Sequence, residues 1–395
     1  MTNTMHTGRR GFFAASAVAG ATLLPAAASV AQGPAATPAQ GPAATPAGGM
    51  ELFRAVAAPT TPTGLALSRT GRMFIFMPRF DDKTRYSIGE VAADGSVAAW
   101  PSMAMNQPDA QRPQDTLFHI PNGVFDAEDR LWVLDAGLMA SSGVPVPGAA
   151  KLVQFDLGTG AVLRMIPLGP AVEPTSSLND LRVDTAAGRP AAAYISDQGQ
   201  DGHGAVIAVD LATGRVRRRL ARHSSTASVK GILKMVEGRR LQQCGANGVA
   251  RDVQGGANGI ALSPDGSRLY IAPLMARHAY AVPTASLLDP EASDAAVAAG
   301  VEDLGEKGLT GGLIADVQDR LYLTWQEFNA VGVRHPDGRI ETLAADPRLI
   351  WPDTFSIRDG WLYVSATQVN RRAEYQGGTD RQVPPYGVFR VRLPA

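Results

Sequence analysis

The chain has 395 residues, and its 37 lysine and arginine residues balance its 37 aspartate and glutamate residues. A neutral balance provides no electrostatic footprint for nucleic acid or an anionic membrane surface, so we expect neither as a partner. The 42 glycines are typical of a turn-rich β protein rather than a helical one.

The N-terminal segment predicts export from the cytoplasm. Residues 1–31 combine a basic start, a short apolar run of small residues and the cleavage motif Ser29-Val30-Ala31, which is the pattern of a cleaved signal peptide. The pair Arg9-Arg10 resembles a twin-arginine signal, with general secretion as the alternative. We therefore expect a periplasmic or secreted protein with no integral membrane segment after cleavage.

The next segment predicts a disordered linker. Residues 32–49 are rich in Pro, Ala and Gly and contain the octapeptide QGPAATPA twice, a composition that cannot bury enough apolar surface to fold. Cys244 is the only cysteine in the sequence, so the chain cannot form an intramolecular disulfide. The hydrophobic core must therefore supply the stability of the folded domain.

Residues 50–395 repeat one pattern with variations. Phrases such as GVFDAEDRLWVLDAG and GIALSPDGSRLYIAPL each read as a short strand, a turn rich in Asp and Gly, and a second strand, and six such hairpins occur. Most are followed by a second strand pair, and four antiparallel strands per unit indicate an all-β, six-bladed β-propeller. The alternative is a β-sandwich or two small β domains, but nothing between the units resembles a linker.

The last unit lacks one strand, and this predicts how the ring closes. Only GVFRVRLP follows its inner hairpin, whereas the strand-like segment at 51–57 has no partner nearby. Pairing 51–57 onto the last blade removes two exposed sheet edges. The best helix candidate lies at 290–300, and the largest insertion, 223–255, is expected over one face.

Polar side chains recur where the inner strands begin, and in a propeller these positions meet at the mouth of the central channel. In chain order they are Thr63, Asn122, Asn179, Asp180, Asn258, Thr310 and Asp353. The ends of the second strands add Arg79, Asp135, Asp197, Trp325 with Gln326, and Thr367 with Gln368 on the same face. Asn-Gly and Pro-Asp pairs are also common in turns, but their recurrence at equivalent positions predicts a small-ligand site. His119 and His203 are further candidates for an acid or base near this mouth, with packing or solvated roles as the alternative.

Several phrases together resemble the Yellow and major royal jelly protein family, including its bacterial, dopachrome-tautomerase-related members. They include NGVFDAEDRLWVLDAG, NAVGV and LIWPDTFSIRDGWLYVSATQVNR, and the resemblance covers nearly all of residues 51–395 in order. It implies a six-bladed propeller. Its functional implication is broader, since relatives are linked to dopachrome conversion, to binding of biogenic amines in the central channel, or to structural secreted roles. Positions matching channel-lining motifs, expected to contact a ligand, are Asn122, Asn179, Asp180, Asn258, Asn329 and Asp353.

A more distant resemblance is to the sugar lactonases of the senescence marker protein and gluconolactonase group, whose axial calcium or zinc ion is held by a Glu, two Asn and an Asp. Asn179, Asn258 and Asp353 match three of these ligands, which implies a divalent cation as a candidate cofactor. The glutamate is replaced, since this chain reads Pro62-Thr63-Gly64 there. The site therefore has one negative charge fewer, and hard cations favour anionic oxygens.

Three functional hypotheses follow. The first is a propeller that binds a small polar or aromatic molecule in its axial pocket, with isomerase or tautomerase-like activity in which Asp353 or Asp180 is the base or the counter-ion of an amine. The second is metal-dependent hydrolysis of a sugar lactone. The third is a scaffold that uses the propeller faces for protein contacts and carries out no chemistry.

Overall fold

The protein forms a six-bladed β-propeller in this computed structural model, which describes residues 49–139, 143–189, 191–245 and 248–394. The predicted signal peptide and the linker up to residue 48 lie outside the described residues. Each blade is a four-stranded antiparallel sheet, numbered here 1 to 6 in the chain order of the inner strands. The inner strands of neighbouring blades contact one another in a closed cycle, so that they surround a central channel.

The strands of each blade are given from the inner to the outer strand. Blades 1 to 3 comprise Gly64–Leu67, Met73–Phe76, Ile88–Val91 and Val97–Ala99; Asn122–Phe125, Leu131–Asp135, Lys151–Phe155 and Val162–Pro167; and Leu178–Asp184, Ala192–Asp197, Ala205–Asp210 and Val216–Arg219. Blades 4 to 6 comprise Ala257–Leu262, Arg268–Pro273, His278–Pro283 and Glu302–Glu306; Leu313–Ala315, Leu321–Trp325, Ala330–Arg334 and Ile340–Ala345; and Pro352–Arg358, Trp361–Ala366, Tyr386–Arg392 and Glu51–Val56.

The ring closes as the sequence predicts. Strand Glu51–Val56 pairs antiparallel with the third strand of blade 6, in a register that places Val56 opposite Tyr386. Glu51 forms an ion pair with Arg390, and Phe53 packs edge-on against Tyr363 with 5.0 Å between ring centroids. The first strand of the domain therefore completes its last blade, and the edge that this blade would otherwise expose is paired.

Hydrophobic clusters lie between all six pairs of adjacent blades. Blades 1 and 2 meet through Phe74, Trp100 and Phe155, which stack edge to face around Trp100. Blades 6 and 1 meet through Leu65 and Tyr386. The alternating strands bury one apolar face against each neighbour, so the core is a ring of packed sheets around the channel.

Helices are short in the described part of the chain. The predicted helix within 290–300 is present as Asp294–Ala299 and follows a second short helix, Thr284–Leu288. Single 3₁₀ turns occur at Gly169–Ala171, Ser224–Thr226, Val369–Arg371 and Ala373–Tyr375. No described helix has the length and apolar character needed to cross a bilayer.

The insertion 223–255 packs on the propeller face at which the inner strands begin. It contains two small hairpins, formed by Met235–Val236 with Arg239–Arg240 and by Gln242–Cys244 with Ala250–Asp252. The side chains of Val236, Leu241 and Val253 form one apolar cluster with residues of the propeller that include Leu274, Met275, Trp351 and Val369. Glu237 also pairs with Arg371 and accepts a hydrogen bond from Asn370 (2.7 Å).

Candidate functional site

A cavity of about 200 Å³ lies at the channel mouth, and we call it the axial cavity. Its lining residues Leu274, Trp351 and Val369 also pack against the insertion. Half of its lining side chains are aromatic or apolar: Pro78, Phe80, Pro121, Leu178, Leu274, Trp351, Val369 and Tyr375. Its polar lining consists of Thr63, His119, Ser177, Asn179, Gln198, Asn258, Gln326 and Asp353. The cavity therefore offers a small molecule both apolar contacts and converging hydrogen-bonding groups, and it is more polar than a typical small-molecule site.

Most of the residues predicted at the inner-strand starts converge here. Asn122, Asn179, Asp180, Asn258 and Asp353 all line a constriction of about 20 Å³ at the channel axis, although they come from four segments far apart in sequence. Asn179 donates a hydrogen bond from Nδ2 to Oδ1 of Asn258 (3.1 Å). Asn122 donates from Nδ2 to Asp180.

Asp180 is held by protein groups on both carboxylate oxygens. Oδ1 accepts hydrogen bonds from Asn122, the Leu181 amide (2.9 Å) and Arg182 Nη1 (2.8 Å), and Oδ2 accepts from the Ile260 amide (3.1 Å). Burial raises the pKa of Asp180, and Arg182 and the amides oppose this rise. Four protein donors thus bind Asp180, three of them at Oδ1. Asp180 does not line the axial cavity, whereas Asp353, the other predicted acid-base residue, does.

Asp353 lies on the axial cavity and is only partly buried. Burial raises the pKa of its carboxyl group to about 7, with a further contribution from the charge of Asp180, while Lys234 and a hydrogen bond from Thr367 oppose the rise. A Cβ atom on Gly312 would overlap the carbonyl oxygen of Asp353, so the close approach of blades 5 and 6 at this point requires glycine. The backbone therefore fixes the position of Asp353. A carboxyl pKa of about 7 is suited to a general base at neutral pH.

Lys234, which the sequence reasoning missed, lies beside this site. It belongs to the insertion, is 1% exposed, and donates from Nζ to Oε1 of Gln326 (2.6 Å). Its Nζ lies 5.2 Å from the ring centroid of Trp351. Burial lowers the pKa of Lys234 to about 7, and the charges of Glu327 and Asp353 oppose this change. Each of Lys234 and Asp353 therefore opposes the effect of burial on the pKa of the other.

The two candidate histidines have different environments. His119 lines the axial cavity and packs edge-on against Phe80, with 5.7 Å between ring centroids. Burial lowers its pKa to about 4, and Nδ1 has no hydrogen-bond partner among the described residues. His119 is therefore neutral near pH 7 and contributes its ring to the cavity wall rather than a charge. His203 is exposed and forms a β-bridge with Ala227, away from the cavity lining.

Asn329 is not brought to the axis. It lies in the turn before strand Ala330–Arg334 with φ 49°, a left-handed conformation that asparagine adopts more readily than most residues. Its Nδ2 lies 3.5 Å from the carbonyl oxygen of Pro347. The residue does not line the axial cavity or the constriction below it.

The acids at the second-strand ends also have structural partners. Asp135 pairs with the buried Lys151 (2.8 Å), and Asp197 pairs with Arg218 (2.7 Å). Each carboxylate also accepts backbone N–H groups of the adjoining loops. Arg79 donates to loop carbonyl oxygens that include Phe118 O (3.2 Å). Asp135, Asp197 and Arg79 thus stabilise loops on the propeller face at which the inner strands begin. They do not line the axial cavity, so the prediction that they face the channel is wrong.

The predicted metal ligands Asn179, Asn258 and Asp353 do meet, but they fit a divalent cation poorly. Calcium takes six to eight oxygen ligands, whereas the axial cavity offers one carboxylate among its described lining residues. The constriction adds a second, Asp180, but that carboxylate already accepts four hydrogen bonds from protein groups. The amide oxygen of Asn258 already accepts from Asn179, and the charge of Lys234 acts on Asp353. The described residues contain no cluster of three His, Cys, Asp or Glu side chains suited to a metal.

Solved structures of low sequence identity share this fold. A gluconolactonase from Xanthomonas campestris aligns over 88% of this chain and 91% of its own, with 14% identity and a TM-score of 0.52. Regucalcin from Agrobacterium tumefaciens, a calcium-binding protein, aligns over 87% of this chain and 93% of its own, with 17% identity and a TM-score of 0.52. At these identities the similarity establishes the propeller fold alone.

Sequence comparison identifies the family. Major royal jelly protein 7 of Apis mellifera is 30% identical over 171 residues, which are 42% of this chain and 35% of that protein, so the match spans about a third of the relative's length. The sequence profile of the major royal jelly proteins matches residues 124–379, which run from the inner strand of blade 2 into the last blade. The chain therefore belongs to the major royal jelly protein family.

Proposed function

We propose that the axial cavity binds a small aromatic molecule that carries a cationic amino group. One observation carries this proposal: aromatic walls, among them Phe80, Trp351 and Tyr375, surround a lining whose only described carboxylate is Asp353. Aromatic walls favour a flat ring through dispersion and edge contacts. A carboxylate among amide groups supplies a counter-ion and orienting hydrogen bonds.

The charge at this site depends on pH in a way that favours an amine above neutrality. Asp353 and Lys234 both have a pKa of about 7. Below this value the pair consists of a neutral acid and an ammonium group, which repels a cationic ligand. Above this value it consists of a carboxylate and a neutral amine, which attracts one. A ligand ammonium group with a pKa near that of lysine, about 10.4, stays charged through this range.

The proposal extends to proton transfer on the bound ring. A carboxylate whose conjugate acid has a pKa of about 7 is suited to removing a proton from carbon near neutral pH. In a tautomerisation the Asp353 carboxylate takes this proton, and the resulting acid returns it to another atom of the same molecule. No oxidant or external acid is consumed. The family resemblance suggests dopachrome as the first substrate to assay.

Binding is tested with two ligands that differ in one group. Tyramine carries an ammonium group, and tyrosol carries a hydroxyl group in its place. Isothermal titration calorimetry on the wild type at about pH 8.5 and about pH 5.5, on either side of the transition, should show tighter tyramine binding at the higher pH. Tyrosol affinity should change little between the two conditions.

The Asp353→Asn variant provides the control for charge at constant shape. It should lose the preference for tyramine over tyrosol, and Asp346→Asn, which removes a carboxylate paired with Arg348, should retain it. Dopachrome conversion, followed by absorbance, should fall by about 100-fold or more in Asp353→Asn if this carboxylate is the base. Absence of binding by both ligands would refute the proposal and favour the scaffold hypothesis. Equal tyramine binding by the wild type and Asp353→Asn would refute the role of Asp353.

A further inference from the structure

The opposite end of the channel contains a second, larger cavity, which we call the lower funnel. Its volume is about 440 Å³, and each of the six blades contributes an apolar side chain from its inner strand: Leu65, Val124, Val183, Leu262, Ile314 and Ile357. Five of these six are only half-buried in the folded protein. Volumes of about 300–1,000 Å³ with mainly apolar linings are typical of ligand sites.

Of the three polar side chains among the described lining residues of the lower funnel, one is cationic. Asp316 is occupied, since it accepts from Arg320 Nε (2.6 Å), Tyr322 Oη (2.8 Å) and backbone amides. Ser356 Oγ accepts from the Leu67 amide (3.3 Å). The remaining polar side chain in the lining is Arg182, whose side chain is 13% exposed.

Arg182 forms the boundary between the lower funnel and the axial constriction, because it lines both. Its Nη1 donates to Asp180 (2.8 Å) and to the Leu181 carbonyl (2.5 Å), and Nη2 donates to the Leu313 carbonyl (2.5 Å). A guanidinium group has five N–H donors and stays protonated at all working pH values. The Nε–H has no partner within the described part of the chain but is buried, so the donor left for a ligand is the second N–H of Nη2, whose first N–H bonds to Leu313. The funnel therefore combines an apolar wall with an Arg182–Asp180 ion pair at its inner end, and the guanidinium group is the member of the pair that lines the funnel.

We propose that the lower funnel binds an amphipathic carboxylate, with its aliphatic chain between the blades and its carboxylate directed at Arg182. Burial of methylene groups against half-exposed valine, leucine and isoleucine side chains provides the main driving force. The guanidinium group selects the head group, since it attracts a carboxylate and repels an ammonium ion. This polarity is the reverse of that proposed for the axial cavity, so the two sites take different molecules.

The test compares three probes with the same ten-carbon chain, namely decanoate, decanol and decylamine, each below its critical micelle concentration. Calorimetric titration of the wild type should give saturable binding of decanoate, weaker binding of decanol and no binding of decylamine. Equal binding of decanoate and decylamine would overturn the proposal, since it would indicate apolar contact without head-group selection. No binding of decanoate would also overturn it.

A variant that fills the lower funnel with a larger side chain tests whether decanoate binds there. Val183→Trp places a large ring in the funnel and should weaken decanoate binding by about tenfold or more. Val162→Trp makes the same change on the outer strand of blade 2, where the side chain is 41% exposed, and should bind decanoate as the wild type does. Ile314→Trp serves as a second filling variant if Val183→Trp does not fold by circular dichroism. Retention of full decanoate affinity in a folded filling variant would refute the assignment. Asp353→Asn should bind decanoate normally, which separates this result from that at the axial cavity.

Discussion

Replacement of Asp353 by asparagine should stabilise the protein above neutral pH and leave its stability unchanged near pH 4. The folded-state pKa of Asp353 is raised from 3.8 to about 7, chiefly by burial. Below the lower value the carboxyl group is protonated in both states. Between the two values only the unfolded chain releases the proton, so the free energy of unfolding falls as the pH rises. Above the upper value both states are ionised, and the full penalty remains.

The magnitude follows from the size of this change. One pKa unit corresponds to about 1.4 kcal/mol, so a rise from 3.8 to about 7 sets an upper limit of about 4 kcal/mol. Asp353 is only partly buried and faces the axial cavity, where solvent reduces the cost of ionisation. We therefore expect Asp353→Asn to gain about 1–2 kcal/mol over the wild type at about pH 8.

Urea denaturation followed by tryptophan fluorescence, at steps from about pH 4 to pH 8, measures this difference. Asp346→Asn is a control of opposite sign, because Arg348 lowers the pKa of Asp346 and its carboxylate should stabilise the folded state above acid pH. If the free energies of unfolding of the wild type and Asp353→Asn differed by the same amount at every pH, the reasoning would be refuted. Lower stability of Asp353→Asn at about pH 8 would also refute it.

Three further changes test the fold. Arg182→Met should cost about 3–5 kcal/mol in urea denaturation because Asp180 stays buried without its cation, and adding Asp180→Asn should recover part of this loss. Lys151→Met should have a similar cost, since it leaves Asp135 uncompensated in the core, and the melting temperature should fall accordingly. Deletion of residues 1–57 should cause aggregation in light scattering, because it exposes the edge of the third strand of blade 6; a monomeric product as stable as the full domain would contradict the closure.

The fold was predictable because each blade repeats one local pattern and because exposed strand edges are costly. The segment 51–57 had no local partner, so ring closure followed from edge pairing, and the structure confirms it with strand Glu51–Val56. The convergence of Asn122, Asn258 and Asp353 was predictable for the same reason, since equivalent positions of inner strands meet at one axis.

The remainder of the site depends on features that do not repeat. Lys234 reaches the site from an insertion without periodic patterning, so its sequence position carries no signal for its contact with Gln326. Asn329 was placed by a family motif rather than by strand register, and it lies in a turn. Arg182 did have a signal: it follows Asp180 by two residues in one strand, and such side chains share a face. Because side chains alternate between the two faces of a strand, the channel-facing Asp180 would have predicted that Arg182 also faces the axis.

The contacts of Arg182 and Asp180 explain how one channel holds two cavities of opposite character. Asp180 accepts from Asn122, 58 residues earlier, and from the Ile260 amide, 80 residues later, while Arg182 donates to Leu313 O, 131 residues later. Four blades are thus joined across the axis by groups that only circular closure brings together. Because the two side chains neutralise each other, the channel can be filled at its centre without an uncompensated buried charge. The aliphatic side chains of the inner strands then form one chamber on the Arg182 side, and the amides and Asp353 form the other on the Asp180 side.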